Sequence, residues 1–220
     1  RLAIRLDAQR SGSPLDAVVG LYDAQGNRLA ENDDLVLYQM NDPALGYTLP
    51  AGGTYYLRVR AWGHPGVGDA NQTYTLQVLV DGAPPTLNLI TPAASWVPNR
   101  ALTVQAQASD GESGVALANV YWRPNPRAPW QLLGQDWDGR DGWTWATTGA
   151  ALAGGDLYVE AVDFGGNRSG ALRLGLRVDA NPPGINLEPL TNPNPSTAVR
   201  LAWTAQDAER YLQAYEAAIH

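Results

Sequence analysis

Cysteine is absent from the 220 residues, and so is lysine: all 15 basic residues are arginine. The first absence removes disulfides and every cysteine-based zinc site, though it does not exclude secretion. The second removes the lysine isopeptide crosslinks that some bacterial surface sandwiches use. Histidine occurs only as His64 and His220, too few for a histidine-based metal site. There is no Gly-x-Ser-x-Gly elbow, no thiol nucleophile and no Walker-type phosphate loop. No run of 18 apolar residues occurs, so no membrane-spanning helix is expected. The net charge is −7 and no basic patch stands out, which excludes nucleic acid as a partner. These absences together predict a protein that is not an enzyme. The first residue is Arg1 rather than methionine, as a processed or excised segment would have it.

What is present is the chemistry of short strands and turns. Glycine (23) and proline (16) are plentiful, and Trp (8) and Tyr (10) far outnumber Phe (1). Large aromatics favour pleated, half-buried surfaces, and Gly and Pro punctuate the turns between them. Two dipeptides, Pro84-Pro85 and Pro182-Pro183, lie 98 residues apart, each closing an Asp-x-x-Pro-Pro linker. Asn88-Leu89 recurs as Asn186-Leu187, and the run 101–110 recurs as 198–207, offset by 97. A period near 100 residues is the size of one β-sandwich. The expectation is all-β: tandem β-sandwiches over 1–82 and 83–181, and the start of a third, cut short, over 182–220.

In the first unit, Leu2, Ile4 and Leu6 alternate with polar neighbours, as a strand does. Val19 to Tyr22 is a second strand, ended by a turn in which Gly26 supplies a positive φ. Leu29 to Asp34 follows with a polar end. The segment Tyr47 to Arg60 places Tyr55, Leu57 and Val59 on one face, and Tyr74 to Val78 closes the unit. Leu21-Tyr22-Asp23 with Gly26, Asn32-Asp33-Asp34, Tyr47 to Val59, and Tyr74 to Val78 resemble the blocks of the bacterial pre-peptidase C-terminal domain. Gln72-Thr73 stands where that family has glycine, and the family has further strands upstream of residue 1. The resemblance implies a secreted, non-catalytic, jelly-roll-like sandwich appended to a peptidase or another exported enzyme. Some relatives in that family bind calcium or collagen. Calcium would fall on Asp33, Asp34 and Asp42, since a hard cation wants several converging carboxylate and carbonyl oxygens. The competing reading is that these residues cap turns by hydrogen bonds to backbone amides.

In the second unit, Leu102, Val104, Ala106 and Ala108 alternate inward. Asp110 to Val115 is a turn, Val120 to Arg123 a strand, and Trp130 to Gly134 another. Leu157 to Asp163 is a strand, Gly165-Gly166-Asn167 a turn, and Leu172 to Val178 a single closing strand. Seven or so short strands of this kind predict an immunoglobulin-like or fibronectin-like sandwich. The same pieces look like the tandem Ig-like repeats of large bacterial secreted and surface proteins. The acidic loop 136–142 fails the EF-hand pattern, with Arg140 at its fifth position and Thr147 at its twelfth. It reads as a turn whose Asp and Gly residues serve backbone geometry. Trp122, Trp130, Trp137, Trp143 and Trp145 are more than one core needs. Trp143 and Trp145 share a face, and an exposed remainder would suit a sugar.

In the third unit, Val199, Leu201, Trp203 and Ala205 form the counterpart of 102–108. Tyr211 to Ile219 reads as a strand, although its Ala, Glu and Gln content also suits a helix. Three functions follow as expectations. The first is a non-catalytic extracellular spacer in a larger secreted or surface-anchored bacterial protein, with a peptidase as one parent. The second is a structural or adhesive surface protein forming a stalk, sheath or filament by self-association. The third is a carbohydrate- or matrix-binding module.

Overall fold

The computed structural model describes residues 1–36, 39–63, 69–148, 150–152, 154–189 and 202–207. The described residues are almost entirely strand and turn, arranged as tandem β-sandwiches. In the first, β1 (Leu2–Asp7), β4 (Ala44–Tyr47) and β6 (Thr75–Val80) form a sheet of order β4-β1-β6. Strands β2 (Ala17–Tyr22), β3 (Arg28–Asn32) and β5 (Tyr56–Ala61) form a second, of order β3-β2-β5. All pairings are antiparallel. Period-2 alternation sends one face of each sheet inward. Ile4 and Leu45 from one sheet therefore meet Val19 and Leu21 from the other. Tyr55, Leu57 and Val59 pack on this cluster together, as their spacing requires. The turn after β2 has Gly26 at φ 82°, and the Asp23 carboxylate accepts the Gln25 and Asn27 amides at 2.9 and 2.8 Å.

The second sandwich runs from β7 (Thr86–Thr91) and β8 (Trp96–Pro98) through β9 (Ala101–Ser109), β10 (Val115–Arg123) and β11 (Gln131–Asp136). It continues with β12 (Thr144–Thr148), β13 (Asp156–Asp163), β14 (Arg168–Arg173) and β15 (Arg177–Asp179). Its sheets are β12-β9-β7 and β11-β10-β13-β14, so β11 sits beside β10 rather than beside β12. That placement departs from the constant-type immunoglobulin arrangement, in which both sheets are filled differently. Between the sheets lie Val104, Ala106, Val120, Leu157, Val159 and Leu176, with Trp145 against them.

Two expectations change here. The single closing strand over 172–178 is two strands in different sheets. Gly175 turns at φ 62°, Leu176 drops fully into the core, and β15 leaves to pair in parallel with β8, a strand the sequence reading passed over. Trp143 does not extend a strand with Trp145. Its φ of 58° places it in the left-handed region ahead of β12, and from there it reaches the same core.

Beyond the second linker, β16 (Gly184–Leu187) pairs antiparallel with β17 (Trp203–Gln206). Ile185, Asn186 and Leu187 face Ala205, Thr204 and Trp203. In the second sandwich Leu87, Asn88 and Leu89 face Ala108, Gln107 and Ala106. Adding the repeat offsets of 98 and 97 converts one set into the other residue for residue. The face that is buried in the second sandwich is open here: Ile185 is 72% exposed and Leu187 59%. Val199, Leu201, the run Tyr211 to Ile219 and both histidines lie outside the described residues.

Candidate functional site

Three turn motifs that are far apart in sequence meet where the first two sandwiches join. They are the linker Asp81-Gly82-Ala83, the β9–β10 turn Asp110 to Gly114, and the β13–β14 turn Asp163 to Asn167. Each is locally explicable. Asp110 Oδ1 accepts the amides of Glu112, Ser113 and Gly114 at 3.1, 2.8 and 2.8 Å, an Asx-type turn. Asp163 Oδ1 accepts the Asn167 amide at 2.8 Å around Gly166, which has φ 76°.

The turns are then stitched to the linker. Ser113 Oγ donates to Asp81 Oδ2, and Asn167 Nδ2 bridges Asp81 Oδ1, Asp163 Oδ2 and the Ala83 carbonyl at 3.1, 3.0 and 3.3 Å. Glu112 Oε2 accepts the Gly82 and Ala83 amides at 2.9 and 3.3 Å. The Asp81 amide donates to the Arg1 carbonyl at 3.0 Å, tying the linker back to the first sandwich. Ala3 packs with Ala116 and Phe164 in an apolar cluster shared by the two units. Gly46 of β4 lies so close to the Gly165 carbonyl that a Cβ there would collide with it.

Asp81, Asp110 and Asp163 each present an oxygen within 4.8 Å of the others, and Asp81 and Asp163 are buried. Burial pushes the Asp81 carboxyl above the ordinary range, with Glu112 and the neighbouring aspartates adding to the effect and Ser113 opposing it. Glu112 moves the other way, held down first by the Gly82 amide and then by Asp81. Among the described residues this is the one acidic group with three oxygens so close.

The three residues expected to hold calcium are not gathered in that way. Asp42 is buried, and its carboxylate accepts the amides of Ala8, Gln9 and Arg10 at 2.9, 2.7 and 2.9 Å. It is a turn cap, and those bonds occupy most of its acceptor capacity. Asp33 and Asp34 stand near Asp16 instead. Burial raises the Asp16 carboxyl, and the charges of Asp34 and Asp33 add to that rise. In the loop 136–142, Asp136 Oδ1 accepts the Asp138 and Gly139 amides, both at 3.1 Å. The Arg140 side chain stands 3.7 Å from Asp138.

Part of the junction leaves a signal in the sequence. Asp81, Asp110 and Glu112 recur at the repeat offsets as Asp179, Asp207 and Glu209, which turn formation alone does not require.

No family model matches the chain, and no curated relative does. Among solved structures, it is similar to fibronectin(III)-like modules of CbhA from Clostridium thermocellum, at 16% identity and a TM-score of 0.39. The match covers 76% of this chain and 80% of that one.

Proposed function

We propose that this chain is a non-catalytic, extracellular spacer of a larger secreted or surface-anchored bacterial protein. In this reading residues 1–82 are a pre-peptidase C-terminal-like sandwich, 83–181 an Ig-like sandwich and 182–220 the start of a third. The catalytic part it spaces is a peptidase or another exported hydrolase. One observation carries the reading: the linker between the sandwiches is bonded on both sides, to Glu112, Asn167 and Ser113 ahead and to Arg1 behind. Prolines at 84 and 85 stiffen the exit further by fixing φ and restricting the residue before them. A spacer needs this stiffness and an enzyme does not. Amide ¹⁵N relaxation tests it. Residues of both sandwiches are expected to report one rotational correlation time, and two shorter, separate times would overturn the rigid spacer.

A second reading, self-association into a stalk or filament, draws on strand β6. Its Val78 and Val80 are 46% and 78% exposed, although they neighbour Ile4 and Leu2 on the sheet. The β6 edge away from β1 pairs with no described strand, and it carries neither charge nor proline, the usual protections of an edge. Sedimentation velocity across a hundredfold concentration range decides this reading. A single monomeric species throughout removes it.

Calcium, the cofactor suggested by the first sandwich, is tested by melting with and without EDTA. With Asp42 occupied by amides, and with Ser113 and Asn167 donating to Asp81, the midpoint is expected to stay in place. A fall of several degrees would put a hard cation among Asp81, Asp110 and Asp163.

A further inference from the structure

Beside the junction the two sandwiches enclose an open cleft of about 410 Å³, within the range of small-ligand sites. Arg5, Gln9 and Arg10 line it from the first sandwich, and Trp137, Asp138 and Arg140 from the second. Both walls are held in place. The Asp42 cap fixes the backbone of Gln9 and Arg10, and Asp136 fixes that of Asp138. Arg10 Nη2 crosses between them to the Trp137 carbonyl at 3.0 Å.

The cleft is rich in donors and poor in acceptors. Three guanidiniums bring about fifteen N–H groups. Among the described residues, protein acceptors take three of their bonds: Arg5 Nε and Arg10 Nη1 to the same Asp7 oxygen at 2.8 and 3.4 Å, and Arg10 Nη2 to Trp137. Arg5 and Arg10 also stack over one ring, Phe164, at 4.4 and 5.6 Å from its centre. Two like charges therefore share the Asp7 carboxylate and one aromatic face, with Asp42 as a further carboxylate near Arg10. Burial, and then the charge of Arg5, lower the Arg10 pKa, while Asp7 and Asp42 oppose them. Arg140 is 80% exposed at the mouth and makes no closer side-chain contact with Asp138 than 3.7 Å. Gln9 accepts the Asn41 amide through Oε1, which leaves its NH₂ as a further donor.

We propose that this cleft binds a uronate-bearing oligosaccharide, with the sugar carboxylate on the arginines and its hydroxyls on Gln9 and Asp138. Guanidinium and carboxylate geometries match in bidentate pairs. Asp138 selects the class: it accepts a hydroxyl beside the arginines, which favours a hydroxyl-rich acidic sugar over an acidic peptide. Trp137 adds an amphipathic wall of the type that sugars contact. The inference does not rest on the spacer reading, since a rigid spacer can carry this cleft or lack it.

The test is isothermal titration of the whole chain with trigalacturonate and with a glucuronate-bearing trisaccharide. Controls are methyl-esterified trigalacturonate and a triglutamate peptide. Saturable binding of at least one uronate is expected. It should weaken at least tenfold in Arg140→Ala, on esterification of the sugar, and in raised salt. Arg140 is exposed, so an unchanged melting midpoint will show that the variant is folded. In the ¹⁵N spectrum, shifts are expected at Gln9, Arg10 and the Trp137 indole. No saturable binding of either uronate would overturn the proposal, as would equal binding by Arg140→Ala. Triglutamate binding as tightly as the sugar would overturn it too.

Discussion

Trp145 shows how one side chain can be right for a core and still imperfect. It is 8% exposed among Val104, Val120 and Leu157, and its indole Nε1 has no hydrogen-bond partner. Its bulk is stabilising, whereas its buried N–H is a cost. Trp145→Ala should therefore destabilise the second sandwich by about 3–5 kcal/mol. Trp145→Phe should cost less than about 1.5 kcal/mol, since it also removes the orphaned donor. Urea unfolding followed by tryptophan fluorescence separates the two. Asp81 is the electrostatic counterpart. Its folded pKa is raised, so its contribution to stability is complete below the ordinary value of 3.8 and is lost as pH rises through the raised value. Glu112, with a lowered pKa, contributes above 4.5 and loses that contribution as pH falls. Asp81→Asn, which cannot ionise, should raise the melting midpoint at pH 7 and leave it unchanged at pH 3. An equal change at both values would show that Asp81 acts through shape rather than charge.

At the scale of elements, the break between β14 and β15 decides how the second sandwich closes. Asp156 sits under it, accepting the Gly175 amide at 2.9 Å through one oxygen and pairing with Arg123 at 2.8 Å through the other. The left-handed backbone at Gly175 then allows Leu176 to turn inward. Gly175→Ala should cost about 1–2 kcal/mol, because a Cβ meets the following carbonyl in that conformation. Hydrogen exchange should show the loss concentrated in β8 and β15. Loss spread evenly over all strands would mean that the break does not matter locally. A period-2 pattern cannot reveal such a break: Leu172, Leu174 and Leu176 alternate as if they were one strand, yet Leu174 is 54% exposed and Leu176 wholly buried.

At the scale of the whole molecule, the contact between Gly46 and Gly165 sets how the first two sandwiches meet. Gly46→Ala places a methyl group against a backbone carbonyl, which cannot move aside as a flexible side chain would. The expected result is two folded sandwiches with a loosened junction: near-native circular dichroism and two correlation times in place of one. Unchanged relaxation would mean that the bonded linker alone holds the pair. Phe164, the residue before Gly165, lines the arginine cleft, so the variant should also weaken any ligand held by both walls.

Local pattern alone determined most of the strands, though not β8 or the break before β15, together with the turns at Gly26 and Gly166 and the repeat whose register recurs from β7–β9 to β16–β17. Alternation and turn chemistry act between near neighbours, and a repeat carries its own register with it. The junction and the cleft were decided by tertiary structure. Asp42 has the residue type of a calcium ligand, but amides 32 to 34 residues away in sequence claim its carboxylate. Asp81, Asp110 and Asp163 each look like turn punctuation until packing brings them within one oxygen shell. The role of a charged side chain depends on which partners burial leaves within reach, and those partners come from distant parts of the chain.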